Sequence, residues 1–284
     1  MMKERLKPLY DFAFQKAMGE KGDEIQLIAF LNAVLRRTGK DHIESVEIFE
    51  DRDLPAETVG EKAGKLDVLA KLADNTRVNI EVQLANQYNM ERRSLDYWAW
   101  NYTKGIGSGQ NYSLLPVVIG INILDFGYIP LEEFHTSFHI YEDRYREYML
   151  TDVLELHYLD MVKFRKQSEK DIVNDSLHRW LVYFDRHSPI KLIEEVLSMD
   201  AAIQEMQKKI DRIQGDPALL RSYLRYEKAA SDEITRMHGA RQEGKQEGKQ
   251  EEKTEIARNL KRIGVAVEQI ARGTGLSVEE IAKL

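Results

Sequence analysis

Lys65-Leu-Asp-Val-Leu-Ala-Lys-Leu-Ala-Asp-Asn-Thr-Arg-Val-Asn-Ile-Glu-Val-Gln-Leu, residues 65–84, is the stretch that decides the fold. Leu66, Val68, Ala70 and Leu72 recur at every second position, and so do Val78, Ile80, Val82 and Leu84, which is the period of a half-buried strand. Asp74 and Asn75 between the two runs supply turn chemistry, so the stretch predicts a β-hairpin. Successive side chains of a strand point to opposite faces. Asp67 on the first strand, and Asn79, Glu81 and Gln83 on the second, therefore lie opposite the apolar sets. Loop length decides whether these polar residues meet. A three-residue loop, Ala73-Asp-Asn, pairs Leu72 with Thr76 and hence Asp67 with Glu81, whereas a two-residue loop puts the two acids on opposite faces.

Outward from the hairpin, Leu9, Phe12, Ala13 and Ala17 fall near helical spacing between Pro8 and Gly19. A second helix is expected from Asp23, as its N-cap, through Leu35, and a first strand from Ser45 to Glu50. Residues 88–105 read as a helix carrying Arg92, Arg93, Tyr97, Trp98, Trp100 and Tyr102. Leu115 to Ile123 reads as a buried strand and Phe138-His-Ile-Tyr as an edge strand. From Ser168 onward the signals are helical, including 169–186 and 189–213. This order predicts an α/β fold, a mixed sheet flanked by helices, with an all-helical C-terminal extension.

The tail has its own pattern. Gln242-Glu-Gly-Lys, Gln246-Glu-Gly-Lys and Gln250-Glu-Glu-Lys repeat every four residues and make slowly winding stripes of one charge. Each mid-helix glycine costs ~1 kcal/mol relative to alanine, so 241–255 reads as a solvated helix or a linker. Short amphipathic helices follow in 256–284, the last opened by a capping box of Ser277 and Glu280. The pair resembles a helix-turn-helix, but Glu279 and Glu280 stand where a base-reading helix needs cations or amides. A hairpin for oligomerisation or partner binding is the expectation.

Composition narrows the classes. With no cysteine in 284 residues, disulfides, thiolate metal sites and cysteine nucleophiles are excluded. A net charge of −7 argues against long-range coating of nucleic acid, but a cleft needs only local positive charge. The apolar stretch from Leu114 to Leu124 is interrupted by Pro116, Gly120 and Asn122 and falls short of the ~20 residues of a membrane span. The first residues lack a signal peptide's apolar core. A cytoplasmic protein with no membrane association is expected.

Two carboxylates on paired strands suit Mg²⁺, which takes a few oxygen ligands and keeps several waters. A cation so held polarises a phosphate oxygen and lowers the pKa of a bound water. In that role Asp67 and Glu81 ligate the metal with the backbone carbonyl of Val82, and Gln83 orients water or the scissile phosphate. Equally, any amphipathic hairpin carries acids on its polar face. Arg93 and Lys104, interleaved with Tyr97, suit phosphate contact and base stacking, whereas Trp98 and Tyr102 have the spacing of core aromatics. The seven histidines show no metal-like spacing, and neither a Gly-rich phosphate loop nor a nucleophilic serine motif is present.

Taken in order over residues 5–166, Tyr10-Asp-Phe-Ala-Phe-Gln-Lys, Leu27-Ile-Ala-Phe-Leu-Asn-Ala-Val-Leu, Leu66-Asp-Val, Asn79-Ile-Glu-Val-Gln, Tyr97 and Leu115-Pro-Val-Val-Ile-Gly-Ile-Asn-Ile-Leu resemble the Rpn family. These are recombination-promoting nucleases, also called PD-(D/E)XK nuclease family transposases. The Ala240-Arg-Gln-Glu-Gly tail and the Gly275-Leu-Ser-Val-Glu-Glu-Ile ending are similar to tails in that family. The resemblance implies a restriction-endonuclease-like core in 1–166 that cuts DNA with Mg²⁺ or Mn²⁺, linked to recombination, mobile elements and phage defence. The aspartate of the family's first motif falls on Asp67, and its Glu-x-Gln on Glu81 and Gln83, where the wider superfamily has Glu-x-Lys. Asp11 matches the N-terminal helix motif and either approaches the metal or is a surface or capping acid. Gln15 stands where many members have lysine, which leaves Lys16 or Lys7 for phosphate contact. The expected division is a nuclease-like domain in 1–166, a helical extension in 167–240, a repeat linker or helix in 241–255, and a module in 256–284, with homo-oligomers formed through the helical C-terminal region. The competing expectation is a DNA- or protein-binding subunit that keeps the fold with weak or no cleavage.

Overall fold

Val68, Ala70 and Leu72 bury the same way as Val78, Ile80 and Val82, and this shared face sets the architecture. The computed structural model describes residues 5–22, 24–49, 68–104, 106 and 109–284. Asp23, Glu50, Leu66 and Asp67 lie outside the described residues. Strand β1 spans Val46–Phe49, β2 Val68–Leu72, β3 Arg77–Gln83, β4 Val118–Leu124, β5 His135–Tyr141 and β6 Met149–Asp160. Among the described residues these form one six-stranded sheet in the order β1-β2-β3-β4-β6-β5. The pairs β3–β4 and β4–β6 are parallel, and the other pairs are antiparallel.

The β2–β3 register pairs Val68 with Ile80 and Ala70 with Val78. Leu72 N donates to Thr76 O at 2.8 Å, closing the three-residue loop Ala73-Asp-Asn. Two local features make that loop. Asn75 takes a left-handed φ of 71°, which asparagine tolerates, and Asp74 Oδ1 accepts from Thr76 N at 2.9 Å. This is the register that the productive hairpin requires.

The helices are α1 (Asp11–Met18), α2 (Ile25–Val34), α3 (Met90–Thr103), α4 (Met161–Lys166), α5 (Ser176–Phe184), α6 (Ile190–Met199), α7 (Ala201–Gly215), α8 (Pro217–Arg262), α9 (Val267–Thr274) and α10 (Val278–Lys283). On one side of the sheet, Ile80, Val82, Ile119, Ile121, Ile123 and Leu159 share a core with Phe14 of α1, Phe30 of α2, Trp180 of α5 and Ile203 of α7. Burying each such side chain contributes roughly 1.5–3 kcal/mol. Helices on both sides of residue 166 thus bury into a single core. On the other side lies α3, whose buried stripe Met90, Ser94, Tyr97 and Asn101 is mostly polar. Gly120 of β4 faces that side: a Cβ there would meet Leu156 Cδ2 at 2.8 Å.

Three expectations need correction. The sheet gains β6, a twelve-residue strand that the sequence reading passed over. The helix expected over 169–186 is confined to α5, because Asp175 caps it by accepting from Leu177 N and His178 N. The helix expected over 189–213 is two, α6 and α7, broken at Asp200, whose carboxylate accepts from Ala202 N at 3.1 Å and Ile203 N at 3.3 Å.

The chain divides into two compact units, one ending at Ala230 and one spanning Ser231–Leu284. In the second, Ala257, Ile270, Leu276 and Ile281 form a small core. Gly275 closes α9 at φ 75°, and the Ser277–Glu280 capping box opens α10. The four-residue repeat is helical throughout, as part of α8. Among the described residues no helix is long and apolar enough to cross a membrane.

Candidate active site

Strand β3 presents Asn79, Glu81 and Gln83 to α3. The Glu81 side chain is 2% exposed, and removing a carboxylate from water costs several kcal/mol unless a positive group compensates. Helix α3 supplies that group. Arg93 Nη2 lies 3.4 Å from Glu81 Oε2, and Nη1 lies 3.5 Å from Gln83 Oε1. The guanidinium also sits 5.3 Å from the centre of the Tyr97 ring, a cation–π contact of about 0.5–1 kcal/mol. Tyr97 is buried and the Arg93 side chain is 24% exposed. Arg93 therefore separates the buried carboxylate from solvent.

A polar row crosses the sheet beside Glu81. Parallel pairing sets Glu81 next to Asn122, and Asn122 next to Tyr158. Ser94 Oγ donates to Asn122 Oδ1 at 2.9 Å, and Asn122 Nδ2 donates to His157 O at 3.1 Å. Burial pushes the Tyr158 hydroxyl above its ordinary pKa, against a smaller opposing effect of its hydrogen bond with Ser94. The sequence reading missed Ser94, Asn122 and Tyr158. The usable signal was Asn122, a lone polar side chain inside an otherwise apolar strand.

Both ends of α3 are tied down. At its start, Met90 N donates to the Tyr128 hydroxyl at 3.0 Å, and that hydroxyl donates to the Glu91 carboxylate. The Tyr128 hydrogen bond holds Glu91 below the usual carboxylate range. At its end, Arg77 donates to Asn101 O at 3.3 Å and Lys104 O at 3.2 Å, and Trp98 Nε1 donates to Val153 O at 3.1 Å. Arg93 is thus carried on a helix fixed against the strands. Beyond β4, Asp125 N donates to Gln83 O at 2.9 Å, and the Asp125 carboxylate pairs with Arg165 and Arg186. This ionic cluster, which Asp185 joins through Arg165 Nε at 2.7 Å, also went unread in the sequence.

A family model described as PD-(D/E)XK nuclease family transposase matches residues 8–240. The chain belongs to that family. No curated protein and no solved structure matches it.

In this PD-(D/E)XK family chain, Glu81 and Gln83 share one face under Arg93 and Tyr97, while the Val82 side chain is buried in the opposite core. Asp67 lies outside the described residues. Among the described residues no group of three or more histidine, aspartate or glutamate side chains is arranged to hold a metal ion. The side chains that β3 presents beneath Arg93 offer oxygen donors, the Glu81 carboxylate and the Gln83 amide. Asn79 Oδ1, buried on the same face as Glu81, has no hydrogen-bond partner among the described residues. This donor set fits a hard divalent cation in kind. The remaining candidates lie elsewhere. Asp11 is an exposed first residue of α1, a helix packed on the side of the sheet opposite Glu81. Lys16 pairs on the surface with Glu20 at 2.5 Å. Lys104 is exposed at the end of α3.

Proposed function

We propose that the chain is a DNA endonuclease dependent on Mg²⁺ or Mn²⁺, with Asp67, Glu81 and the backbone carbonyl of Val82 holding the cation. The bound cation supplies a polarised phosphate oxygen and an acidified water. Gln83, one pleat along from Glu81, orients that water or the scissile phosphate by hydrogen bonding and does not serve as a base. Arg93 meets the DNA next to Glu81, and Tyr97, buried beneath its guanidinium, contributes by holding it there. Lys104 and Lys16 are proposed phosphate contacts farther along, and Asp11 remains a proposed accessory acid. The observation that carries this reading is Glu81, a buried carboxylate set beside Gln83 beneath an arginine, in a chain of a nuclease family.

We infer a role in recombination, mobile elements or phage defence, which the resemblance to recombination-promoting nucleases supports, and propose that the protein acts in the cytoplasm. The Ser231–Leu284 unit is the proposed site of homo-oligomerisation. One observation favours a second reading: Gln83 leaves the Glu-x-Gln motif without its own positive charge, as suits a subunit that binds DNA and cuts poorly. Incubating a labelled DNA duplex with the full chain in Mg²⁺ and in EDTA separates the two. Cation-dependent cutting supports the nuclease. Binding without cutting in either Mg²⁺ or Mn²⁺ supports the binding subunit.

A further inference from the structure

At the position of Gln83, a Glu-x-Lys motif would place an ammonium, and an amide brings no charge against the negative charge that builds on a phosphate under attack. The fold delivers a cation to the same place from a different element. Arg93 of α3 reaches Gln83 Oε1 and Glu81 Oε2 together. We propose that Arg93 supplies the positive charge that position 83 lacks, and stabilises the scissile phosphate during hydrolysis. This inference rests on the nuclease reading above.

Four features support the assignment. The two contacts, at 3.4 and 3.5 Å, are long beside the ~2.7–2.9 Å of a charge-assisted hydrogen bond, so the guanidinium is placed without being locked. Arg93 Nε is buried and has no hydrogen-bond partner among the described residues, so part of the guanidinium's donor capacity is unspent. Arg92 and Arg93 are the third and fourth residues of α3, at the positive end of its macrodipole. Cations there cost stability, while an anion is favoured. Finally, the Tyr97 ring supports the guanidinium, whose planar fork suits a phosphate.

In the reaction, the oxygen of water bonds to phosphorus and the bond from phosphorus to one sugar oxygen breaks. That oxygen takes up a proton, the attacking water loses one, and the products are a phosphomonoester and a hydroxyl. Arg93 donates to the non-bridging oxygens throughout and transfers no proton.

The test uses the full chain, comparing wild type with Arg93→Gln, Arg93→Lys and the double variant Arg93→Gln/Gln83→Lys. Single-turnover cutting of a labelled duplex is followed in Mg²⁺, and duplex binding by fluorescence anisotropy in EDTA. Arg93→Gln, which removes the charge and falls two bonds short of the guanidinium nitrogens while keeping an amide donor, is expected to slow cutting about 10²–10³-fold, as loss of one preorganised transition-state donor does. Metal-free binding should weaken by far less than cutting does, since one phosphate contact is a small part of an electrostatic interface. Arg93→Lys should retain part of the rate, and Gln83→Lys in the Arg93→Gln background should recover at least about tenfold by returning the charge. Cutting by Arg93→Gln at the wild-type rate overturns the inference, as does a loss of binding that matches the loss of cutting, or a double variant no faster than Arg93→Gln. A wild type that does not cut overturns the nuclease reading itself, and this inference with it.

Discussion

The Arg77 guanidinium donates to the carbonyl of Asn101 at 3.3 Å and so ties the first residue of β3 to the last turn of α3. A cation at a helix C-terminus is favoured by the macrodipole, and here it also satisfies Lys104 O. Burial lowers the Arg77 pKa from its ordinary value, without approaching neutrality in a group that stays protonated in proteins. Arg77→Met, which keeps the stem and removes the donors, is expected to cost about 1–2 kcal/mol. Urea unfolding measures it, and amide exchange should quicken first in residues 98–104. An unchanged midpoint would mean that water caps α3 equally well.

The two faces of β3 should respond oppositely to truncation. Ile80 is fully buried in the main core, whereas Gln83 is half-buried at the site. Ile80→Ala is expected to destabilise by about 2–5 kcal/mol, from lost transfer free energy plus a cavity. Gln83→Ala should change stability by less than about 1 kcal/mol while impairing cutting. Chemical denaturation of both variants reads the contrast, and comparable losses of stability would contradict the assignment of faces.

A histidine relay makes stability depend on pH. His135 Nε2 lies 2.9 Å from His157 Nδ1, and His157 Nε2 lies 2.7 Å from Glu155 Oε1. An ionised Glu155 only accepts, so His157 Nε2 donates to it. Burial, then the neighbouring His157 and Arg36, lower the His135 pKa from 6.5 to about 4, against opposing effects of Asp175 and Glu155. As pH falls through about 6.5 the unfolded chain binds a proton at His135 that the native state refuses until about 4, so stability declines over that window. Glu155 is also shifted downward, chiefly by its hydrogen bond to His157, so the stability it contributes is present above the usual carboxylate value and is lost as pH falls below it. The thermal midpoint should drop between pH 6.5 and 4, and His135→Asn should flatten that drop. A variant with the wild-type slope would assign the effect to other groups.

Gly244 and Gly248 lie inside α8 with nothing within 4 Å of where a Cβ would stand. Replacing both with alanine should stabilise the helix by about 1 kcal/mol each. Hydrogen exchange across residues 240–255 should slow accordingly, and unchanged protection would show that the glycines do not limit helix opening.

The hairpin was legible in the sequence because alternation, Asp74 and Asn75 act locally, whereas its register stayed open between a two- and a three-residue loop and is set by the Leu72–Thr76 closure. The capping box at Ser277 was legible for the same reason. Strand β6 was not, because Asp152, Glu155 and His157 interrupt its apolar residues and its extended state is imposed by β4 and β5 on either side. Of the candidate site, Glu81, Gln83, Arg93 and Tyr97 were readable and stand together. Ser94 and Asn122 were not, since their contact depends on a parallel β3–β4 register that no local signal specifies. Asp200 breaks a helical pattern that periodicity alone runs through.

Glu81 and Asp67 are the proposed carboxylates of a cation-dependent nuclease. Nicking and linearisation of supercoiled plasmid by the full chain tests it most directly, with Mg²⁺, with EDTA, and with the Asp67→Ala and Glu81→Ala variants. Wild type is expected to cut in Mg²⁺ and not in EDTA, and either variant to lose about 10³-fold or more, as when a group essential to the reaction is removed. Cutting that survives EDTA, or that both variants perform like wild type, would contradict it.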